Sequence, residues 1–389
     1  MADARPEHRS PGSTASLRPA NQRRVIELLK GQGAGSITQA EIARTTGLAS
    51  ATVSNIVREL TATGLIETDP GSGRRGTVVR LAPGAGVVAG IDFGHTHLAV
   101  AVADLGGRII SEARQRLAPD HPYDEGLVLA SKLLDEVLAD SGRASADVRT
   151  IGMGLPAPIS DDVVRSSAIL PGWVGVNAVQ VSQARFGCPV HIDNDANLGA
   201  LAEHLVGVAQ GIDDVVFVKV SSGVGAGLII DGQVFRGAHG SAGEIGHLTL
   251  DEQGPLCRCG SRGCLEAYAS TGTAIAMMSS QLPDPTIDDI FKAAHEGNVA
   301  AMRLLEDAGL HLGWGLATVV NLLNPGVVVV GGDMARAGEL LLDSARLGLR
   351  RHALADAATT PVVISALGER ASMVGATLMA AQRTELIAD

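Results

Sequence analysis

Aromatic side chains are nearly missing from this 389-residue chain: Phe, Tyr and Trp together make up 2% of it. Its cores must therefore be built from Ala, Val, Leu and Ile. Uninterrupted apolar runs of about 18 residues, the length that spans a bilayer, do not occur, so no membrane span is expected. The opening MADARPEHRSPGSTASLRPA is polar and proline-bearing, with no apolar signal region. It reads as the disordered arm (residues 1–17) of a cytoplasmic protein. Only four cysteines are present, Cys188, Cys257, Cys259 and Cys264, and three of them fall within eight residues. In an intracellular chain that crowding favours a metal over a disulfide. Charged residues stop at 19% and the net charge is −11, which alone argues against a nucleic-acid partner.

Against these shortages stand 46% hydrophobic residues and 48 glycines, a globular composition with glycine gathered in a few loops. The length predicts two or three domains. Charge is unevenly spread: residues 18–82 hold nine Arg or Lys against five acids, a surplus of +4 that leaves −15 for the rest. A basic head on an acidic body suits a DNA-binding module joined to something else.

The head carries three helical patterns. Val25, Ile26, Leu28 and Leu29 give the first an apolar face. Thr38-Gln39-Ala40-Glu41 opens the second as a capping box, with Ile37 and Ile42 placed as a hydrophobic staple. In the third, Ser50 to Thr63, the inward positions are Val53, Ile56, Val57 and Leu60. Ser50, Ala51, Thr52, Asn55 and Arg58 are left on the outer face, with the small and hydrogen-bonding character a major groove requires. Two strand patterns, Leu65–Thr68 and Thr77–Leu81, flank a glycine-rich tip bearing Arg74 and Arg75, which could engage phosphates or the minor groove. The order resembles the winged helix-turn-helix of bacterial repressors; a small helical domain with a charged loop is the plainer alternative.

From Val87 onward strands and glycine turns recur in two similar halves. Val87–Gly94 and its hairpin are echoed by Val215–Val220, the loop Ser221–Gly227 and Leu228–Ile230. Two glycine-bearing hairpins facing a cleft resemble the arrangement of the actin-like sugar kinases, an α/β fold of the ribonuclease-H type duplicated internally; a pair of ordinary hairpin turns is the plainer alternative. Val327–Val330 and Val362–Ala366 continue the second half, and a final Ala/Met/Leu helix closes it. His247, Cys257, Cys259 and Cys264, spaced H-x9-C-x-C-x4-C, can close a tetrahedral zinc site with no position left open, so the ion is structural. Cys188 stands apart and reads as a buried apolar residue.

Gly243-Glu244-Ile245-Gly246-His247, the segment Cys257–Glu266 and Asp193-Asn194-Asp195-Ala196-Asn197 resemble the ROK family of repressors, open reading frames and kinases. The resemblance runs from about residue 85 to the end, in lobes of about 85–200 and 201–389. With the winged helix at 18–82 the layout is that of the family's sugar-responsive regulators. It implies Asp195 as the family's general base, and Asn194, Asp195, Glu244, His247 and Glu266 around a sugar, with His247 also on zinc. Gly154–Pro158 and Leu170–Trp173 resemble loops lining the cleft, where Trp173 either stacks on a sugar or fills a hinge.

Phosphoryl transfer needs backbone donors close to the phosphates and a magnesium-binding acid. Asp92, Gly94 and Thr96, with Ser222, Gly223 and Gly225, match parts of the family's two phosphate loops. His95 and Ser221, however, stand where glycines belong. The expectation is a repressor that binds operator DNA as a homodimer or homotetramer and responds to a small sugar, with no use for ATP and Mg2+. An ATP-dependent hexose kinase with a regulatory head is the alternative, and a protein-binding scaffold with a vestigial cleft a weaker one.

Overall fold

A computed structural model describes residues 14–32, 35–70, 76–119, 121–166 and 169–387. Helix α1 (Thr14–Gly31) leads into β1 (Ile37–Thr38), α2 (Gln39–Thr46) and α3 (Ser50–Ala62), then β2 (Ile66–Pro70) and β3 (Thr77–Leu81). The strands pair antiparallel in the order β1-β3-β2. The capping box forms: Thr38 Oγ1 accepts from the Glu41 amide at 3.2 Å, and Glu41 Oε2 accepts from the Thr38 amide at 3.0 Å. Val25, Ile26, Leu29, Ile42, Val53, Ile56, Val57, Leu60, Ile66 and Val79 make one buried core. Ile37 serves in a strand as well as a staple, because its backbone pairs with Val79. Helix α1 also starts at Thr14, inside the arm expected over residues 1–17. Its first half is tied down from outside: Arg18 Nε and Gln22 Nε2 both donate to Glu59 of α3.

The body begins with β4 (Val87–Phe93), β5 (His97–Ala103), β6 (Ile109–Arg116), α4 (Tyr123–Asp140) and β7 (Val148–Leu155). A short ribbon, β8 (Ile159–Ser160) and β9 (Val163–Val164), precedes α5 (Ala178–Phe186), β10 (Val190–Asn194) and α6 (Asp195–Val206). Next come β11 (Val215–Val220), β12 (Val224–Ile230), β13 (Gln233–Phe235), α7 (Glu266–Ala269), α8 (Thr271–Met278), α9 (Ile287–His295) and α10 (Val299–Leu323). The chain ends with β14 (Val327–Gly331), α11 (Glu339–His352), β15 (Val362–Ile364) and α12 (Ala371–Arg383). Two five-stranded sheets result, β10-β7-β4-β5-β6 and β13-β12-β11-β14-β15. Counted within each half, both run 3-2-1-4-5 with the same mixture of antiparallel hairpin and parallel strands.

Between the sheets lie α6 and α12, and glycine sets how closely they pack. A Cβ on Gly152 of β7 would fall 1.9 Å from the Ala376 carbonyl oxygen of α12. One on Gly375 of α12 would fall 1.9 Å from the Leu198 carbonyl of α6. At these crossings only small residues fit, while Gly199 of α6 makes room for the buried ring of Phe217 on β11.

The tail beyond α12 returns to the head, where Leu386 and Ile387 pack against its core. Lys30 of α1, only 5% exposed, donates from Nζ to the carbonyls of Ala381 at 3.2 Å and Thr384 at 2.8 Å. The last carbonyls of a helix lack partners within it. An ammonium at that negative end satisfies two of them.

Candidate functional site

Parallel strands end together at one edge of each sheet. Asp92 closes on Gly154 across β4 and β7, Leu155 on Asn194 across β7 and β10, and Lys219 on Gly331 across β11 and β14. Polar groups thus collect beyond the carboxyl ends of the strands, where open α/β sheets place ligands. The cleft there has a volume of about 1080 Å³, and both halves line it.

All five residues expected around a sugar face this cleft: Asn194, Asp195, Glu244, His247 and Glu266. Asn194 is already occupied in part, since its Oδ1 caps α6 by accepting from the amides of Ala196 at 2.9 Å and Asn197 at 3.3 Å. Its Nδ2 donates to the Ala157 carbonyl at 3.3 Å and keeps one further hydrogen. Glu266 is buried; its Oε2 accepts from the Val224 amide at 3.1 Å, and its Oε1 pairs with Arg258 Nε at 2.9 Å. Glu244 reaches solvent through the cleft mouth, yet the surrounding protein, with Asp195 and Glu266 nearby, raises its carboxyl above the usual range despite an opposing effect of His247. Asp193, the first residue of the motif, is structural: Arg236 clamps its Oδ2 at 2.5 and 2.8 Å.

The ligand atoms of His247, Cys257, Cys259 and Cys264 all lie within 4.8 Å of one another. Tetrahedral bonds of about 2.3 Å to sulfur and about 2.0 Å to nitrogen place neighbouring ligand atoms roughly 3.5–3.8 Å apart. Cys259 and Cys264 sulfurs are 3.8 Å apart, as are Cys257 Sγ and His247 Nδ1. The cluster therefore fits one metal ion, with Nδ1 as the inward nitrogen of His247. Cys188 is half-buried against the core of the first half, and burial pushes its thiol up to about 11.

Side chains occupy part of the space beside the loops compared with phosphate cradles. Gly94, Thr96, Ser222, Gly223 and Gly225 line the cleft, whereas Asp92 is 1% exposed beneath its floor. His97 covers the first loop: a Cβ on Gly94 would lie 2.0 Å from its ring, whose Nε2 is 3.1 Å from Asp92 Oδ2. In the second loop Ser221 Oγ accepts from the Asp333 amide at 3.0 Å. Arg258 closes over it by donating to the Ser222 carbonyl. The residue most clearly missed is Lys219, whose Nζ lies 2.7 Å from Asp195 Oδ2. Its only sequence signal was a lone lysine in the apolar strand Val215–Val220. Trp173 is fully buried with Phe93 and Tyr123 at ring separations of 5.3 and 6.0 Å, so it fills the core rather than meeting a sugar.

On α3, Ser50, Asn55 and Arg58 are exposed and Thr52 is half-buried, opposite the buried Val53, Ile56, Val57 and Leu60. Arg58 Nη2 donates to Asn55 Oδ1 at 2.7 Å, which orders the pair along the helix. Arg74 and Arg75 lie outside the described residues.

Fold and cleft define a winged-helix head on a sugar-kinase-like body. The chain belongs to the ROK family, whose model matches residues 88–383, and the MarR family model matches residues 17–75. It is 30% identical to a putative xylose repressor of Caldicellulosiruptor sp. over 88% of this chain and 91% of that one. Among solved structures, a ROK family transcriptional regulator homologous to the E. coli MLC protein superposes with a TM-score of 0.76 at 26% identity, covering 94% of this chain and 96% of that one. A ROK family glucokinase from Streptomyces griseus, solved with glucose and AMPPNP, gives a TM-score of 0.68 at 30% identity over 76% of this chain and 100% of that one. Among the described residues no helix is long and apolar enough to cross a membrane.

Proposed function

We propose that this protein is a sugar-responsive transcriptional repressor whose residues 18–82 bind operator DNA and whose residues 85–389 hold a monosaccharide. The observation that carries this reading is one helix touching both the cleft and the winged-helix head. At the start of α12, Ser372 Oγ donates to the Asp195 carbonyl at 2.9 Å; at its end, Lys30 of the head holds its last carbonyls. A sugar changes DNA affinity only by binding one arrangement of head and body better than another. Helix α12 is the rigid element through which both sites feel the same arrangement.

In this reading Asp195, Glu244 and Glu266 accept from sugar hydroxyls, and Asn194 Nδ2 and His247 Nε2 donate. An epimer that misplaces one hydroxyl leaves a buried polar group unpaired and binds worse. The ion at His247, Cys257, Cys259 and Cys264 is zinc in a structural role, because four protein ligands fill its shell. Binding through Nδ1 fixes His247 Nε2 as a donor toward the cleft. Ser50, Thr52, Asn55 and Arg58 enter a major groove, while Arg74 and Arg75 contact phosphates or the minor groove. The shared strand order supports descent of the body from a duplicated actin-like unit with lobes at about 85–200 and 201–389. A homodimer would present two heads to a palindromic operator.

Anisotropy titrations of the full chain against DNA from beside its own gene, with and without pentoses, hexoses and N-acetylhexosamines, test this reading. Specific binding altered by one sugar supports it; no specific binding under any condition overturns it. A kinase reading is favoured by one observation, the placement of Asp195 in the cleft. Sugar-dependent ADP release that disappears in Asp195→Asn would establish it.

A further inference from the structure

We propose that Lys219 is a built-in counter-cation: its ammonium sits among Asp92, Asp195 and Asp333 where phosphoryl transfer would need a divalent ion, and it occupies Oδ2 of Asp195, leaving Oδ1 for a sugar hydroxyl. The proposal goes beyond the sensor reading, since a sugar could be sensed with or without a metal.

Placement follows from the strand. On β11, Val216, Val218 and Val220 turn into the core of the second half, while Val215, Phe217 and Lys219 occupy the other face, against α6. Asp195 is the first residue of α6, so the lysine at the carboxyl end of β11 meets the carboxylate at the start of that helix. Nζ donates to Asp195 Oδ2 at 2.7 Å and to Ser372 Oγ at 3.3 Å. Both side chains are largely enclosed, at 16% and 10% exposure. A cation near a helix amino terminus opposes the helix dipole, so it stays only because carboxylates hold it there.

Those carboxylates are accounted for in turn. Burial favours neutral Asp92, but Lys219 and His97 outweigh it and keep the carboxyl below its usual range. Burial likewise disfavours the charged Lys219, but Asp195, Asp92 and Asp333 outweigh it and raise its ammonium above the usual value. Asp92 Oδ2 meets His97 Nε2 at 3.1 Å, while its Oδ1 is buried without a hydrogen-bond partner among the described residues. Magnesium demands octahedral coordination and keeps several waters. Two like charges about 4 Å apart at an effective dielectric near 20 weaken binding by more than roughly a hundredfold.

The test is Mn2+ binding, followed by electron paramagnetic resonance, to the full chain as wild type, Lys219→Met and Lys219→Gln, each with and without Asp92→Asn. The wild type is expected to show no saturable site that Asp92→Asn removes. Either lysine variant is expected to gain one, at least about a hundredfold tighter than any wild-type binding, and to lose it with Asp92→Asn. A saturable Asp92-dependent site in the wild type overturns the proposal, and this holds even if both variants fail to fold. So does the absence of any gain in folded Lys219→Met and Lys219→Gln. Sugar and operator binding are read separately, so failure of the repressor reading would leave this result standing.

Discussion

Replacing Lys30 by Met tests whether head and body are joined as the packing implies. Methionine keeps the apolar stem but removes an ammonium that donates to the carbonyls of Ala381 and Thr384. Hydrogen bonds to a charged group are worth about 1.5–3 kcal/mol each. Against this, the variant no longer has to desolvate an ammonium that is 5% exposed, which returns part of the loss. A net destabilisation of about 2–4 kcal/mol remains. Urea unfolding of the full chain should show it as a lower midpoint. A separate early transition of the head should also appear, because the head's own core is small. Glu27 also pairs with Lys30 at 2.8 Å but is 60% exposed, so Glu27→Gln should change little. A Lys30→Met protein that unfolds in one step at the wild-type midpoint would refute the claim that this contact fastens α12 to the head. If α12 relays the sugar signal, the same variant should bind operator with a weakened response to sugar.

Cys259→Ser should release the metal and weaken sugar binding through His247; elemental analysis finding a full complement of zinc in that variant would contradict the four-ligand cluster. The stability advantage of wild type over Lys219→Met should be about 3–5 kcal/mol near neutral pH, the cost of breaking a buried pair. Its pH dependence follows from two opposite shifts. Asp92 is lowered, so its share is present above the unfolded carboxyl value of about 3.9 and is lost as pH falls through the folded value. Lys219 is raised, so its share is present below about 10.4 and is lost as pH rises through the folded value. Denaturation across pH should therefore give a difference that is flat between these limits and shrinks in acid; one that grows in acid would exclude the pairing. Arg74→Ala with Arg75→Ala should weaken operator affinity broadly and flatten its salt dependence without changing base preference. A changed preference would mean that these arginines read bases.

Much of the head was legible because its signals are short-ranged. The capping box at Thr38 and Glu41, the inward positions of α3 and strand β3 at Thr77–Leu81 all emerge where the pattern places them. The cysteine cluster was legible for the same reason: ligands within a stretch of eighteen residues need only a tight turn to meet. The cleft was legible as a set of residues but not as a state. In the loops compared with phosphate cradles the sequence signals are His95 and Ser221, whereas the placing of His97 over Gly94 and of Lys219 on Asp195 comes only from the fold.

By itself, then, the sequence determined the winged helix and the grouping of His247 with the three cysteines, since each depends on periodicity or spacing within a few turns of chain, whereas the sugar-kinase-like body was legible through its resemblance to the ROK family. Only the tertiary structure decided three things: that Trp173 is core, that Lys219 pairs with Asp195, and that α12 joins the cleft to the head. Lys30 and Ala381 are 351 residues apart, and nothing local in either segment encodes the other. Such pairs come together only when two sheets and the helices between them have packed, because burial and charge complementarity are properties of that packing and not of the chain.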